Sequence, residues 1–127
     1  MPSAIIVIAL GAGIGALLRW LLGLGLNSIL PTLPLGTLAA NLIGGLLIGV
    51  ASEFFKAHAS LPAEWRLFVI TGFMGGLTTF STFSLEVSSL IQNRELASAA
   101  LELGVHIIGS ISLTLLGIAF VQYFSSR

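Results

Sequence analysis

The ten residues from 75 to 84, GGLTTFSTFS, carry side chains that could do chemistry inside a long apolar segment. They comprise a glycine pair, a leucine, five hydroxyl side chains and two phenylalanines. At membrane depth every polar group needs a partner within the protein or a water-filled path. A passive lipid anchor would not need these groups, so the stretch indicates a functional site.

The first half of this stretch predicts an interruption of a helix. Gly75 and Gly76 are followed at once by Thr78 and Thr79, and both pairs weaken helix relative to other conformations. Broken membrane helices free backbone carbonyls, which persist where they bind something or line a cavity. Carbonyls without a formal charge suit a hard monovalent cation. The alternative is a packing kink in which the glycines serve only close helix contact.

Helix should resume after the interruption and place Phe80, Phe83, Ser84 and Val87 on one face. The edges of aromatic rings are weakly positive, so stacked edges beside hydroxyl donors can coordinate a small anion without trapping it. Ordinary core packing is the alternative for both phenylalanines. Glu86 follows near the end of the segment, where we expect it to be solvated.

The other segments contribute polar positions of their own. Asn41 shares a helical face with Thr37, Gly45 and Gly49, and its amide is costly in hydrocarbon unless it is paired. It serves either as a contact between helices or as a ligand contact, because the amide offers two donors without a formal charge.

His106, Ser110 and Thr114 form a second polar stripe at four-residue intervals in the last segment. We expect a packed, neutral histidine, because Glu102, one turn away, should be wet at the membrane edge. The hydroxyls either bond the carbonyl one turn back or join the polar stripe.

Gly11, Gly15 and Arg19 recur at four-residue spacing in the first segment. The small residues predict a ridge on which another helix approaches closely. Arg19 either extends its charge to the membrane surface or forms part of a positive vestibule for anions.

Composition identifies the elements that must position these residues. Of 127 residues, 56% are hydrophobic and 8% are charged, and the charges lie between uncharged runs long enough for helices of about 20 residues. We predict an all-α integral membrane protein with a single four-helix transmembrane domain, residues 1–127, and approximate spans 4–26, 35–55, 65–91 and 97–124. The absence of cysteine excludes disulfides and thiol chemistry, and zero net charge without a basic block argues against nucleic acid.

Positive charge leaves the orientation of the chain in the membrane open. Lys56, Arg66 and Arg127 fall on one side, against Arg94 and, if its charge extends to that surface, Arg19 on the other. The slight excess either directs one orientation or permits insertion in both, with an antiparallel pair as the working unit. The thin core of a single copy favours an oligomer.

These features together resemble the small fluoride channels of bacteria, the Fluc or CrcB family, along essentially the whole chain. The resemblance rests on GALLRW at residues 15–20, on Gly36-Thr37 with Asn41 and Gly44, on Gly72 with residues 75–84, and on His106 with Gly109-Ser110. Of these blocks, the third is highly specific.

The resemblance implies a dual-topology antiparallel homodimer in the bacterial inner membrane, with two fluoride paths built from both subunits. It implies that Asn41, Phe80 and Phe83 coordinate permeating fluoride, and that a set of hydroxyl side chains lines the path: Ser81, Thr82, Ser84, Ser110 and Thr114. It also implies a structural sodium ion, which is not transported, held by backbone carbonyls that here fall on Gly75 and Thr78. The expected function is passive export of cytoplasmic fluoride, which is not enzymatic.

Two other functions remain open at the level of the sequence. A proton-coupled multidrug exporter of the small four-helix type would have similar length and topology, but such carriers need a membrane-embedded carboxylate, and the first segment has none. A non-conducting assembly subunit would use the polar faces only to join helices.

Overall fold

The computed structural model describes residues 2–125 and is all-α. The helices are α1 (Pro2–Leu26), α2 (Leu35–Ala57), α3 (Ala63–Arg66), a π-helix (Leu67–Met74), α4 (Gly75–Leu77), α5 (Phe80–Gln92) and α6 (Leu96–Ser125). Four helical segments are long and apolar enough to cross a membrane, with Ala63–Gln92 as the third, which confirms the predicted fold class at this level. Arg127, used above in the charge balance, lies outside the described residues.

Glycines let α1 and the third segment touch through their backbones. A side chain at Gly11 or Gly15 would overlap backbone atoms between Phe68 and Leu77, and one at Gly76 would overlap the backbone of Ala12. The ridge predicted on the first segment is therefore a contact inside the chain, with the third segment as its partner. Close approach of this kind is how helices associate where lipid removes the hydrophobic driving force.

A second glycine-lined contact joins α2 to α6. Gly45, Gly49 and Gly117 are buried there, and a side chain at any of them would overlap or crowd backbone of the facing helix. The Thr114 hydroxyl lies within hydrogen-bonding distance of the Gly45 carbonyl on α2, 2.8 Å, and of the Ser110 carbonyl one turn back, 2.9 Å. The two contacts divide the chain into a pair formed by α1 with the third segment and a pair formed by α2 with α6.

The third segment does not keep one backbone conformation along its length. It is π-helical over Leu67–Met74 and then α-helical over Gly75–Leu77, with Gly75 at φ −61° and ψ −37°. Thr78 and Thr79 are extended, at φ −84°, ψ 153° and φ −149°, ψ 117°. The predicted interruption covered residues 75–79, and only the last two of them have left helical geometry.

Past these two residues, α5 packs on α6 through apolar side chains. Phe83, Val87 and Leu90 face Ala99 in one buried cluster. Phe80 and Ser84 are exposed in the single chain, so the predicted common face divides into a buried and an open part. The α5 helix therefore rests on one partner and leaves its other side uncovered.

Candidate functional site

The Asn41 amide pairs with both backbone polar groups of Thr79. Its Oδ1 accepts from the Thr79 N–H at 2.8 Å, and its Nδ2 donates to the Thr79 carbonyl at 3.1 Å. Thr79 is extended and has no helical partner for these groups, so the side chain stands in for a neighbouring peptide. The contact between helices that the sequence left open for Asn41 is therefore present.

The same amide determines the tautomer of the neutral His106 ring. Because Thr79 determines which amide atom is oxygen and which is nitrogen, the second N–H of Asn41 faces His106 Nδ1 at 3.1 Å. That ring nitrogen must accept, so the neutral ring carries its proton on Nε2. His106 is 4% exposed, as expected for a packed histidine.

The two phenylalanines have different environments. Phe83 is 6% exposed and stacks on the His106 ring with centroids 4.5 Å apart. Phe80 is 78% exposed and meets Phe83 edge to face at 5.7 Å. Phe83 thus has the core role that the sequence left open, while Phe80 has no comparable burial within this chain.

A cavity of about 500 Å³ collects several predicted residues on one side of the bundle. Its wall includes Asn41, Phe80, Phe83 and Ser110, together with Gly75 and Thr78. Apolar side chains such as Ile48 and Ile70 complete the wall. The structure thus brings together four residues of the expected anion path and both residues of the expected cation site.

The remaining hydroxyl residues lie apart from this cavity. The Thr79 hydroxyl accepts from the Thr82 N–H at 3.1 Å and caps α5, and the Ser81 and Thr82 hydroxyls lie 3.3 and 3.2 Å from it. Thr114 is engaged with the backbone of α2 as described above. Ser84 is exposed on α5.

Arg19 reaches the same junction from α1. Its Nε donates to the Gly76 carbonyl at 3.2 Å, which is one of the carbonyls that the end of α4 leaves without a helical partner. A cavity of about 310 Å³ beside it is lined by Thr37, Thr79 and Thr82. The guanidinium therefore has a protein partner, and Arg19 also lines this cavity.

Two carbonyls near the extended residues remain available for a ligand. The Thr79 N–H, which a continuous helix would direct at the Gly75 carbonyl, goes to Asn41 instead. Within residues 2–125 neither the Gly75 nor the Thr78 carbonyl accepts a hydrogen bond. Free carbonyl oxygens of this kind are suitable ligands for a monovalent cation.

The sequence-based expectations for the two glutamates were wrong. Glu102, expected to be wet, is 0% exposed, and its Oε1 lies 3.7 Å from His106 Nε2. Glu86, expected to be a solvated end, accepts from the Thr37 hydroxyl at 2.7 Å. The four-residue spacing of Glu102 and His106 was the available signal, whereas Glu86 reaches them only through the packing of α5 on α6.

Comparison with known proteins identifies relatives along nearly the whole chain. A family model described as CrcB-like protein, Camphor Resistance (CrcB), matches residues 6–118. A protein of Tolumonas auensis named fluoride-specific ion channel FluC is 60% identical over 119 residues, which are 94% of each chain. A protein of Burkholderia pseudomallei with the same name is 59% identical over 117 residues, 92% of this chain and 91% of that one. The chain therefore belongs to the CrcB family and is a multi-pass bacterial membrane protein.

Proposed function

We propose that the chain is a fluoride-selective passive channel that exports cytoplasmic fluoride. The observation that carries this proposal is 60% identity, over 94% of both chains, to a protein named as a fluoride-specific ion channel. Such a protein moves an ion down its electrochemical gradient and makes or breaks no covalent bond.

The chemistry of the site supports a small anion as the permeant species. The cavity that holds Asn41, Phe80, Phe83 and Ser110 offers amide, hydroxyl and ring-edge groups, and within the described part of the chain no lysine or arginine lines it. Uncharged donors compensate the dehydration of a small halide without holding it tightly. Fluoride, as the smallest halide, gains most from such donors. Asn41 has both of its N–H groups engaged here, so fluoride would exchange with the His106 or Thr79 acceptor.

We propose that the working unit is an antiparallel homodimer with two pores. The support is that Phe80 is 78% exposed and that the cavity it lines is open at the side of a single chain. A second copy would close that side and supply the missing wall of each pore. The nearly balanced positive charges in the loops are compatible with insertion in both orientations.

We also propose that Thr78 and Thr79 divide the third span into two half-helices around a structural sodium ion. The carbonyls of Gly75 and Thr78 would hold the ion, because neither is occupied by a donor in residues 2–125. The ion would supply positive charge that is not transported. Dimer stability in detergent should fall when sodium is replaced by N-methylglucamine, and equal stability in the two salts would contradict the site.

Fluoride efflux from sealed liposomes tests the channel directly. With a fluoride gradient and no proton gradient, an electrode should record efflux from liposomes that hold the protein and none from empty ones. Efflux only when protons move would favour a proton-coupled exporter, and no efflux would favour a non-conducting subunit. Chloride under the same gradient is the matched control and should stay trapped.

Reporter fusions test the antiparallel arrangement separately. A reporter at the C-terminus of a single gene copy should label both sides of the membrane. Labelling of one side only would contradict dual topology without affecting the efflux result. Adding two lysines to one loop should then shift the labelling to a single side.

A further inference from the structure

Glu86, Glu102 and His106 form a cluster that the proposed anion path does not use as a group. One ligand atom from each lies within 4.8 Å of the others, and Glu102 Oε1 is 3.7 Å from His106 Nε2. We propose that this cluster binds one divalent transition-metal ion, such as zinc, and that the bound metal slows the channel. The effect on flux rests on the proposed function, whereas binding of the metal does not.

Unpartnered buried atoms point to a ligand at this place. Both oxygens of Glu102, Oε1 of Glu86 and Nε2 of His106 have no hydrogen-bond partner among residues 2–125. Glu102 is 0% exposed and His106 is 4% exposed. Buried carboxylates are costly unless they are paired or coordinate a metal. Among residues 2–125, no lysine or arginine lies in the wall of the cavity beside them, so no side chain of that wall supplies positive charge.

The donor set and its spacing suit a transition metal. Zinc binds histidine nitrogen and carboxylate oxygen, and a tetrahedral site places neighbouring ligand atoms roughly 3.4 Å apart. The observed distance of 3.7 Å between Glu102 Oε1 and His106 Nε2 is close to that spacing. A divalent ion would also neutralise the two carboxylates. Calcium prefers six to eight oxygen ligands, so the nitrogen in this set favours zinc.

An outer partner holds one of the ligands in position. The Thr37 hydroxyl donates to Glu86 Oε2 at 2.7 Å, which leaves Oε1 free to face the cluster. Contacts of this kind orient ligands in metalloproteins. A cavity of about 450 Å³, lined by Glu86 and Glu102, provides an entry route.

The contact between Asn41 and His106 explains why the metal would slow the channel. The metal-free ring carries its proton on Nε2, because Nδ1 accepts from Asn41. A metal on Nε2 would move the proton to Nδ1, and two N–H donors would then face each other across the present 3.1 Å. Asn41 would have to turn away and release Thr79. Metal binding and the intact Asn41–Thr79 pair therefore exclude each other.

Zinc calorimetry on the purified, chelator-treated full chain tests the site. The expected result is one zinc per chain, with affinity lowered at least about 100-fold by Glu102→Gln or His106→Gln. Glu95→Gln, at an exposed carboxylate of the same cavity wall, and His58→Gln, at an exposed histidine, should bind as the unaltered chain does.

X-ray absorption at the zinc edge of the unaltered chain gives a result that needs no variant. One imidazole with oxygen ligands is expected, and an all-oxygen shell would overturn the site. So would absence of binding, calcium binding as tight as zinc binding, or full affinity in Glu102→Gln.

Efflux measurements test the inhibitory part. Zinc should slow fluoride efflux through the unaltered chain, and the residual efflux of Glu102→Gln should not respond to zinc. If zinc binds without changing efflux, the proposed inhibition is wrong, but the zinc site itself stands. An unaltered chain that conducts no fluoride would contradict the channel, while calorimetry would still decide the site.

Discussion

Residues before Thr78 and residues after Thr79 meet the rest of the bundle in different ways. The first part lies against α1 through glycine backbones, with Arg19 as a polar contact. The second part rests on α6 through Phe83, Val87 and Leu90, and its Glu86 side chain accepts from Thr37 and lies beside the glutamate of α6. The contact with α1 therefore tolerates no added volume, whereas the contact with α6 depends on the identity of each side chain.

The largest loss of stability is expected where a new side chain would overlap backbone atoms of a neighbouring helix. Gly15→Leu should destabilise the folded chain by at least about 3 kcal/mol, because the new side chain would overlap backbone of the third segment. Unfolding in mixed detergent measures it. Gly13→Leu is the matched control, since no atom that the structure describes lies within 4 Å of a Cβ at Gly13. Equal stability of the two variants would refute the tight contact.

The second-largest loss of stability is expected from Asn41→Asp, which replaces a single nitrogen by oxygen. Asn41→Asp removes both N–H donors and places a carboxylate beside the Thr79 carbonyl, so it should cost about 2 kcal/mol. Fluoride efflux should fall at least about tenfold, since about 1.4 kcal/mol in a barrier already gives that factor. Unaltered efflux would remove Asn41 from the path.

Asn27→Asp is the matched control for that change. The Asn27 side chain is used here as an acceptor, whereas Asn41 also donates. Asn27 Oδ1 accepts from the N–H groups of Gly36 and Thr37 at 2.7 and 3.2 Å. A carboxylate keeps both bonds at the start of α2, where negative charge is favoured, so stability should rise by about 0.5 kcal/mol. A loss as large as that of Asn41→Asp would mean that charge alone, and not the lost donors, accounts for both results.

Variants of the two phenylalanines distinguish a role in packing from a role in conduction. Phe83→Ile should lower stability by about 1.5 kcal/mol, because it removes the ring stacked on His106. Phe80→Ile should change the stability of the single chain by less than about 0.5 kcal/mol, because Phe80 is exposed there. Efflux should fall in both. Normal efflux in Phe80→Ile would contradict ring-edge coordination at that position.

Among the variants expected to alter efflux, the smallest change in efflux is expected at Arg19. Arg19→Gln should cost about 1 kcal/mol, because one hydrogen bond to the Gly76 carbonyl is lost. If Arg19 also attracts anions, the variant's efflux should lose part of its salt dependence, which efflux at low and high ionic strength would show. Identical salt dependence in both proteins would leave Arg19 a purely structural contact.

The sequence allowed the fold class and several local features to be predicted, because these depend on nearby residues. Four apolar runs predicted four membrane-spanning helices, and the small residues of α1 predicted a close helix contact. Propensity placed an interruption over residues 75–79, but Gly75–Leu77 stay helical, because packing of Gly76 on Ala12 outweighs glycine's low propensity.

Pairing between distant residues could not be predicted. Glu102 is within six residues of the start of α6, which suggested a wet position, yet α5 covers it and brings Glu86 beside it. The partners of Asn41 are 38 and 65 residues away along the chain. Periodicity assigns a residue to a face, but not to the atoms that face will meet.

The double pairing of Asn41 with Thr79 has a mechanical consequence. One hydrogen bond permits rotation about its axis, whereas two parallel bonds to the same residue resist rotation and sliding alike. Tilting of α5 against α2 at this joint would therefore have to break two hydrogen bonds together, where a single bond would act as a hinge.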